Sequence, residues 1–173
     1  MEKKDELVLR PTTETDLDFV LAAESDPDNT PYVARWTREE HQKTFNSPEW
    51  RHLIIEEIGE LKRLGYVILQ DVGNPNLSLQ LRRIVAVEKG KGYGTRAIQL
   101  VKNYAFKELG QHRLWLDVKT FNDRARRVYR ACGFVEEGIL RECLKNGDRF
   151  ESLVIMSVLK DEFDSETQLN FYR

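Results

Sequence analysis

The chain has 173 residues, of which 40% are hydrophobic and 32% are charged, and its formal net charge is −2. These values describe an ordinary globular protein that is large enough to bury a core without metal or disulfide cross-links. They exclude the strongly basic surface of a nucleic-acid-binding protein, and no apolar run approaches the roughly 18 residues of a membrane-spanning helix.

The predicted elements alternate between strands and helices in the order β α α β β β α β α β β. The strands are expected near residues 7–11, 53–56, 66–69, 78–87, 113–119, 134–143 and 150–159, and the helices near 16–23, 37–45, 95–109 and 123–132. Hydrophobic periodicity defines most of these elements, and Asn146-Gly147 is a strong hairpin signal between the last two strands. The order predicts one α/β domain over residues 1–160, followed by a polar tail over 161–173.

The spacing of the cysteines and histidines indicates whether the chain carries disulfides or a metal site. The two cysteines, Cys132 and Cys143, form no C-x-x-C pair, and the three histidines are scattered. We therefore expect no disulfide framework and no metal. The segment Met1–Glu6 has no apolar signal-peptide region, and we expect a cytoplasmic location.

The most informative motif is the glycine-rich stretch between the fourth strand and the next helix. Its residues are Lys89, Gly90, Lys91, Gly92, Tyr93, Gly94 and Thr95. Glycine lets the backbone approach a ligand, and the free N–H groups of a helix start favour a phosphate. The spacing fits neither a Walker A loop nor the G-x-G-x-x-G dinucleotide fingerprint. A turn that serves only strand–helix packing stays open as an alternative.

The glycine motif and a second segment together resemble the GNAT superfamily of N-acetyltransferases. The loop signature of that family, Q/R-x-x-G-x-G/A, is similar to Lys89–Gly94, with lysine at the leading position. The second segment begins at Trp115 and carries Asn122, then Tyr129, then Gly133-Phe134. Within the superfamily the chain looks closest to the ribosomal-protein N-terminal acetyltransferase-like group. The resemblance covers about residues 7–160.

The resemblance implies a mixed, mostly antiparallel seven-stranded sheet with about four helices, splayed between strands four and five. It also implies acetyl-CoA as co-substrate, with pantetheine between the splayed strands and pyrophosphate on the glycine loop. The implied cofactor-binding residues are Arg82, Arg83 and Ile84 of strand four, the seven residues of the glycine loop, Asn122 and Arg126. The arginines at 124, 126, 127 and 130 equally fit a solvated helix face.

Two residues are implied as catalytic. Tyr129 matches the general acid of the family, and Asp117 lies where the ribosomal-protein group can carry a catalytic carboxylate. A core tyrosine and a surface carboxylate are the alternative interpretations. Gln80 occupies a position where related sequences can place a glutamate, and glutamine cannot accept a proton as a base.

The sequence therefore predicts an acyl-CoA-dependent N-acetyltransferase that acts on a primary amine, of a protein N-terminus or a small molecule, by direct attack in a ternary complex. An acyl-CoA-binding sensor with little transferase activity is the runner-up, and Gln80 favours it. A structural module without a ligand is the third possibility. The expected partners are acetyl-CoA and the amine, with no nucleic acid and no membrane, in a monomer or homodimer.

Overall fold

A computed structural model describes residues 6–171, with side chains described up to residue 168. The strands are β1 Leu7–Pro11, β2 Trp50–Glu57, β3 Lys62–Gln70, β4 Ser78–Ala86, β5 Arg113–Lys119, β6 Val135–Asn146 and β7 Arg149–Leu159. The helices are α1 Leu17–Ser25, α2 Arg38–Phe45, α3 Tyr93–Asn103, α4 Asp123–Ala131 and α5 Lys160–Phe171. A 3-10 turn precedes α1, and a π-helical turn extends α3. No helix in this part of the chain is long and apolar enough to cross a membrane.

The strands form one sheet in the order β1-β2-β3-β4-β5-β7-β6. Every neighbouring pair is antiparallel except β4 and β5, which run parallel because α3 returns the chain from the end of one to the start of the other. This arrangement confirms the predicted mixed, mostly antiparallel sheet of seven strands.

The parallel pair is joined over only a short distance. Ser78, Leu79 and Gln80 of β4 pair with Arg113, Leu114 and Trp115 of β5. Beyond this point β4 continues to Ala86 and β5 to Lys119 without pairing to each other, so a gap opens between their carboxyl-terminal halves. The predicted splay between strands four and five is thereby confirmed.

The two faces of the sheet carry separate buried clusters. On one face, which we call the α3 face, residues of α3 pack against apolar side chains of β4, β5 and β7 such as Leu81, Leu116 and Met156. On the other, the α1 face, Val20 and Ala23 of α1 pack against β2, β3 and β4. Side chains of α4 and α5 join the cluster on the α3 face.

A β-bulge at Arg82 changes which side chains of β4 point to each face. Leu69 of β3 pairs with Leu81, but the preceding residue, Ile68, pairs with Arg83, so Arg82 has no partner. Before the bulge Leu81 lies in the cluster of the α3 face, whereas after it Val85 lies in the cluster of the α1 face. The bulge therefore turns Arg83 toward α1 instead of toward the apolar cluster under α3.

The carboxyl-terminal segment differs from its prediction. The residues from Asp161 were predicted as a polar tail, but α5 begins at Lys160, which gives five α-helices within residues 6–171 instead of about four. Phe163 is buried and stacks on Phe106 with 5.0 Å between ring centroids. Glu166 accepts a hydrogen bond at 2.5 Å from Lys102, whose side chain is buried. One buried apolar residue and one ion pair attach α5 to the rest of the domain. A single apolar residue produces no hydrophobic periodicity, so the sequence pattern did not indicate this helix. The domain limits remain a prediction.

Candidate active site

The glycine loop leads directly into an uncapped helix. Gly90 and Gly92 have φ values of 77° and 75°, in the left-handed region that favours glycine. Gly92 is the N-cap residue of α3 and no side chain caps the helix. The first intrahelical bond of the loop region runs from the Arg96 amide to the Gly92 carbonyl at 3.1 Å. The amides of the first turn, up to Thr95, are therefore left for another acceptor.

The space above these glycines is open. A Cβ atom at Gly90, Gly92 or Gly94 would have no heavy atom within 4 Å. Gly65 is different, because a Cβ there would lie 2.0 Å from the Val85 carbonyl oxygen. Packing thus requires glycine at Gly65 but not in the loop, which speaks against the alternative of a turn that serves only packing. The open, uncapped helix start fits an anionic group such as a pyrophosphate.

The lysines of the loop are engaged with other protein groups. Lys91 pairs with Glu88 at 2.5 Å, and Lys62 binds the same carboxylate, so the pKa of Glu88 is lowered to about 2. Lys89 donates to the Asn29 side-chain oxygen at 2.6 Å. Backbone amides, not lysine side chains, are consequently the uncommitted donors of the loop.

Asp117 lies on β5 beside the gap and is only partly exposed. Its Oδ2 accepts a hydrogen bond at 3.2 Å from the Gln80 side-chain nitrogen, and Arg82 is 4.0 Å away. Burial raises the pKa of Asp117, and the charge of Arg82 opposes that shift. Gln80 therefore orients a carboxylate that is more basic than an ordinary aspartate, and Asp117 is not a freely solvated surface residue.

Tyr129 lies on α4 at the edge of the cluster on the α3 face. Its ring packs beside Phe134 with 5.8 Å between centroids. Burial raises the pKa of Tyr129, and the nearby charge of Asp117 raises it further. The hydroxyl thus keeps its proton near neutral pH, and the two implied catalytic residues are close enough to interact.

Asn122 and Arg126 have structural partners around α4. The Asn122 side-chain oxygen accepts from the Ala125 amide at 3.2 Å and so caps the helix. Arg126 donates to the Thr120 carbonyl at 2.9 Å and pairs with Glu136 at 3.0 Å. The structure brings neither side chain into contact with the glycine loop, and their cofactor-binding role stays a prediction.

The three β4 positions implied to bind pantetheine lie on the part of the strand that does not pair with β5. Arg82 is exposed, Arg83 turns to the α1 face, and Ile84 packs on the α3 face. Because the implied contacts involve backbone groups, these side-chain directions leave the prediction unaltered.

A buried polar network on the α1 face was missed from the sequence. The Glu24 carboxylate accepts from the Tyr66 hydroxyl at 2.7 Å, from the Trp36 amide at 3.0 Å and from the Arg83 guanidinium. Its Oε1 lies 3.2 Å from His41 Nε2. Burial favours a higher pKa for Glu24, but these hydrogen bonds and the charge of Arg83 lower it below the usual value. Its position four residues after Val20, on the buried stripe of α1, was the available signal.

Two histidines continue the network away from Glu24. His41 Nδ1 is 3.0 Å from His52 Nε2, and His52 Nδ1 is 2.8 Å from the Thr12 hydroxyl. Burial lowers the pKa of His52 to about 3, and the neighbouring His41 adds to the shift. Within residues 6–168, whose side chains the structure describes, no group of three or more His, Cys, Asp or Glu residues is arranged to hold a metal ion.

The connection between α1 and α2, residues 26–36, crosses the gap between β4 and β5, and we call it the bridging loop. Asn29 meets Lys89 after the end of β4. The Pro31 carbonyl accepts at 2.9 Å from Lys119, the last residue of β5, and Tyr32 lies 6.0 Å from Phe121 between ring centroids. Its carboxylates, Asp26 and Asp28, are exposed. The loop therefore contacts both arms of the gap, which are the carboxyl-terminal ends of β4 and β5 with the residues that follow them. It does so on the side where Asp117 lies.

Comparison with known proteins agrees with this geometry. A family model for the acetyltransferase (GNAT) domain matches residues 6–135. The chain is 28% identical over 171 residues to a spermidine N(1)-acetyltransferase of Escherichia coli (strain K12), covering 91% of this chain and 88% of that protein. It is 31% identical over 127 residues to the putative ribosomal N-acetyltransferase YdaF of Bacillus subtilis, covering 69% of each.

A solved structure extends the likeness to three dimensions. The chain superposes on a crystal structure of spermidine N-acetyltransferase from Vibrio cholerae in complex with CoA and spermine with a TM-score of 0.82. The sequence identity is 25%, and the match covers 91% of this chain and 97% of the other. With the glycine loop, the splayed strands and the family match in agreement, the chain belongs to the GNAT acetyltransferases and is an acyl-CoA-dependent N-acetyltransferase.

Proposed function

We propose that the protein transfers the acetyl group of acetyl-CoA to a primary amine by direct attack within a ternary complex. The observation that carries the proposal is the gap between β4 and β5, which Asp117 flanks and Tyr129 approaches. The thioester supplies an activated acetyl group, and the protein has to hold it, deprotonate the amine and protonate the leaving sulfur.

The donor site divides into two parts of different chemistry. The unpaired edge of β4 beyond Gln80 offers backbone groups to the amides of pantetheine, as an added strand would. The uncapped start of α3 offers N–H groups and the helix dipole to the pyrophosphate. The backbone groups of residues 82–84 and 89–95 are the parts of this chain that would hold the donor.

Asp117 and Tyr129 divide the proton transfers between them. An aliphatic amine is mostly protonated near pH 7, because its pKa is about 10. Asp117, oriented by Gln80 and made more basic by burial, receives the proton of the amine directly or through a water. Tyr129 keeps its hydroxyl proton near neutral pH and donates it to the leaving thiolate.

Gln80 need not indicate an inactive protein. It cannot act as a base, but its side-chain nitrogen donates to Asp117, which is the carboxylate beside the gap. This hydrogen bond supports a catalytic role for Asp117 and weakens the argument for a sensor with little transferase activity.

For the acceptor we propose an aliphatic polyamine, with spermidine as the first compound to test. Two observations support it: the spermidine N(1)-acetyltransferase match over 91% of the chain, and exposed Asp26 and Asp28 in the bridging loop. A protein N-terminus is the second candidate, which the match to YdaF favours. We retain a cytoplasmic location as a prediction.

The test measures CoA release from acetyl-CoA with spermidine, with spermine and with a short peptide that has a free N-terminus. We expect spermidine to give the highest kcat/KM, and in Asp117→Asn the acid limb of its pH profile should be partly lost. A peptide preference would favour the second candidate. CoA binding without release on any amine would contradict the proposed transfer, and coincident pH profiles would remove Asp117 from the mechanism.

A further inference from the structure

Lys89 makes a contact that its place in the glycine loop does not explain. Its ammonium group donates to the Asn29 side-chain oxygen at 2.6 Å and to the Ala86 carbonyl at 2.8 Å. Asn29 belongs to the bridging loop and is 5% exposed. A lysine that leads the proposed phosphate loop is thus bound to the segment that crosses the acceptor side of the gap.

The orientation of Asn29 follows from its two partners. Its side-chain nitrogen donates to the Ala23 carbonyl of α1 at 2.9 Å. A carbonyl only accepts hydrogen bonds and an ammonium only donates them, so the amide oxygen of Asn29 has to face Lys89. One continuous series of hydrogen bonds therefore joins α1, the bridging loop and the glycine loop.

The other end of the bridging loop is fixed to the second arm of the gap. Lys119 of β5 donates to the Pro31 carbonyl at 2.9 Å and pairs with Glu151 of β7 at 2.7 Å. The bridging loop is consequently held from both arms, and Lys89 is its contact with the arm that ends in the glycine loop.

We propose that Lys89 is a positioning residue for the amine acceptor and not a phosphate ligand. It fixes the bridging loop to the glycine loop, so that CoA binding at the glycine loop stabilises the bridging loop against local opening and favours acceptor binding beneath it. This proposal rests on the proposed function for its acceptor. Because such coupling is reciprocal, a bound acceptor would also tighten CoA binding.

The first test needs no acceptor. Arg35 is exposed within the bridging loop, and trypsin cleavage after it reports local opening. We expect Lys89→Met to accelerate this cleavage about tenfold, and saturating CoA to slow it at least about threefold in the wild type but not in the variant. Lys107→Met removes an exposed lysine whose ammonium lies over Phe163, and it should change neither rate.

The second test separates acceptor binding from CoA binding. With Lys89→Met we expect the KM for spermidine to rise at least about fivefold while the calorimetric Kd for CoA stays within about twofold. Asn29→Ala should act in the same direction, and the double variant should be no worse than the poorer single variant. Lys89→Arg keeps a cationic donor and should restore part of the loss.

Different results would overturn different conclusions. A Kd for CoA weakened about tenfold, with wild-type cleavage at Arg35, would make Lys89 a phosphate ligand and refute the proposal. Equal CoA protection of Arg35 in wild type and Lys89→Met would refute it as well. If spermidine is not acetylated but Lys89→Met abolishes the CoA protection, the polyamine acceptor is wrong and the coupling through Lys89 is supported.

Discussion

The α3 face and the α1 face of the sheet bury side chains of different chemistry. Beneath α3 the sheet contributes almost only aliphatic residues, such as Leu79, Leu81 and Leu116. Beneath α1 the aliphatic cluster is smaller and lies beside the buried carboxylate of Glu24 and the buried guanidinium of Arg83. The difference shows that one sheet supports the glycine loop and the bridging loop by two means, apolar packing on one face and ionic bonding on the other.

The contrast follows from what each face has to hold in place. The glycine loop offers backbone amides, which any well-packed α3 would present, so apolar packing is sufficient there. The bridging loop has no regular secondary structure over most of its length and starts beside Glu24. A carboxylate that binds the Trp36 amide and Arg83 together fixes such a loop to β4, which aliphatic contacts alone would not do.

Removing the charge on the α1 face should have the largest effect on stability. Glu24→Gln keeps the size of the side chain but leaves the buried Arg83 without its counter-charge, and we expect a loss of about 3 kcal/mol or more in the free energy of unfolding. Urea denaturation measures it. Adding Arg83→Met should recover part of the loss, because the uncompensated cation is then gone.

The matched variant on the α3 face is Leu116→Ala. It should lower the free energy of unfolding by about 2–4 kcal/mol through cavity formation, and Arg83→Met should recover none of this loss.

The next largest effect should be on turnover and not on stability. Tyr129→Phe keeps the ring that packs beside Phe134 and removes only the hydroxyl. We expect kcat to fall at least about 100-fold, or roughly 2.7 kcal/mol, with the Kd for CoA unchanged. Steady-state kinetics and calorimetry measure the two quantities. Wild-type turnover in a folded variant would leave Tyr129 as a packing residue only.

Blocking the glycine loop should weaken donor binding by a smaller amount. At Gly94 an added Cβ atom meets no heavy atom within 4 Å, and the backbone is not left-handed, so Gly94→Val tests the ligand and not the fold. We expect the Kd for CoA to rise about tenfold, or roughly 1.4 kcal/mol. Gly94→Ala should give an intermediate Kd. Unaltered calorimetric affinity in Gly94→Val would show that CoA does not approach this amide.

The histidines of the α1 face should give the smallest effect for a single step of one pH unit, seen as a slope in the pH dependence of stability. Burial lowers the pKa of His52 from 6.5 to about 3. Between these pH values His52 is therefore protonated in the unfolded chain and neutral in the folded protein. Stability from this residue is therefore complete above pH 6.5 and is lost as pH falls toward 3. The free energy of unfolding of the wild type minus that of His52→Gln should rise by about 1 kcal/mol per pH unit across that window. A difference independent of pH would show that folding leaves the pKa of His52 unchanged.

The features that sequence analysis predicted are those encoded by neighbouring residues. The limits of β5 match the prediction, α2 lies within one residue of the predicted range 37–45, and the alternate glycines revealed the loop before α3. The residues that were missed are paired over long separations. Glu24 binds residues 42 and 59 positions away, and Lys89 binds one 60 positions away, and no local pattern marks such contacts.

The resemblance to the GNAT superfamily identified more residues of the candidate site than the residue types and their spacing alone would have done. Asp117 and Tyr129 came from spacing within a family signature, and their physical relation through the gap depends on the divergence of β4 and β5. The same reasoning treated Gln80 as a sign of weak activity, because a side chain's partner across two strands is not visible in a linear pattern.

The bulge at Arg82 sets the face of Arg83 through strand pairing and not through the sequence alone. In a regular strand Leu81 and Arg83 would point to the same face, and the Arg83 guanidinium would lie among the aliphatic side chains under α3. Every amino acid that binds Glu24 would still be present in the chain. Deleting Arg82 would not have this effect, because Arg83 would then directly follow Leu81 and would still point to the α1 face. A gene that lacks the codon for Arg82 should therefore still encode a protein in which Arg83 faces Glu24.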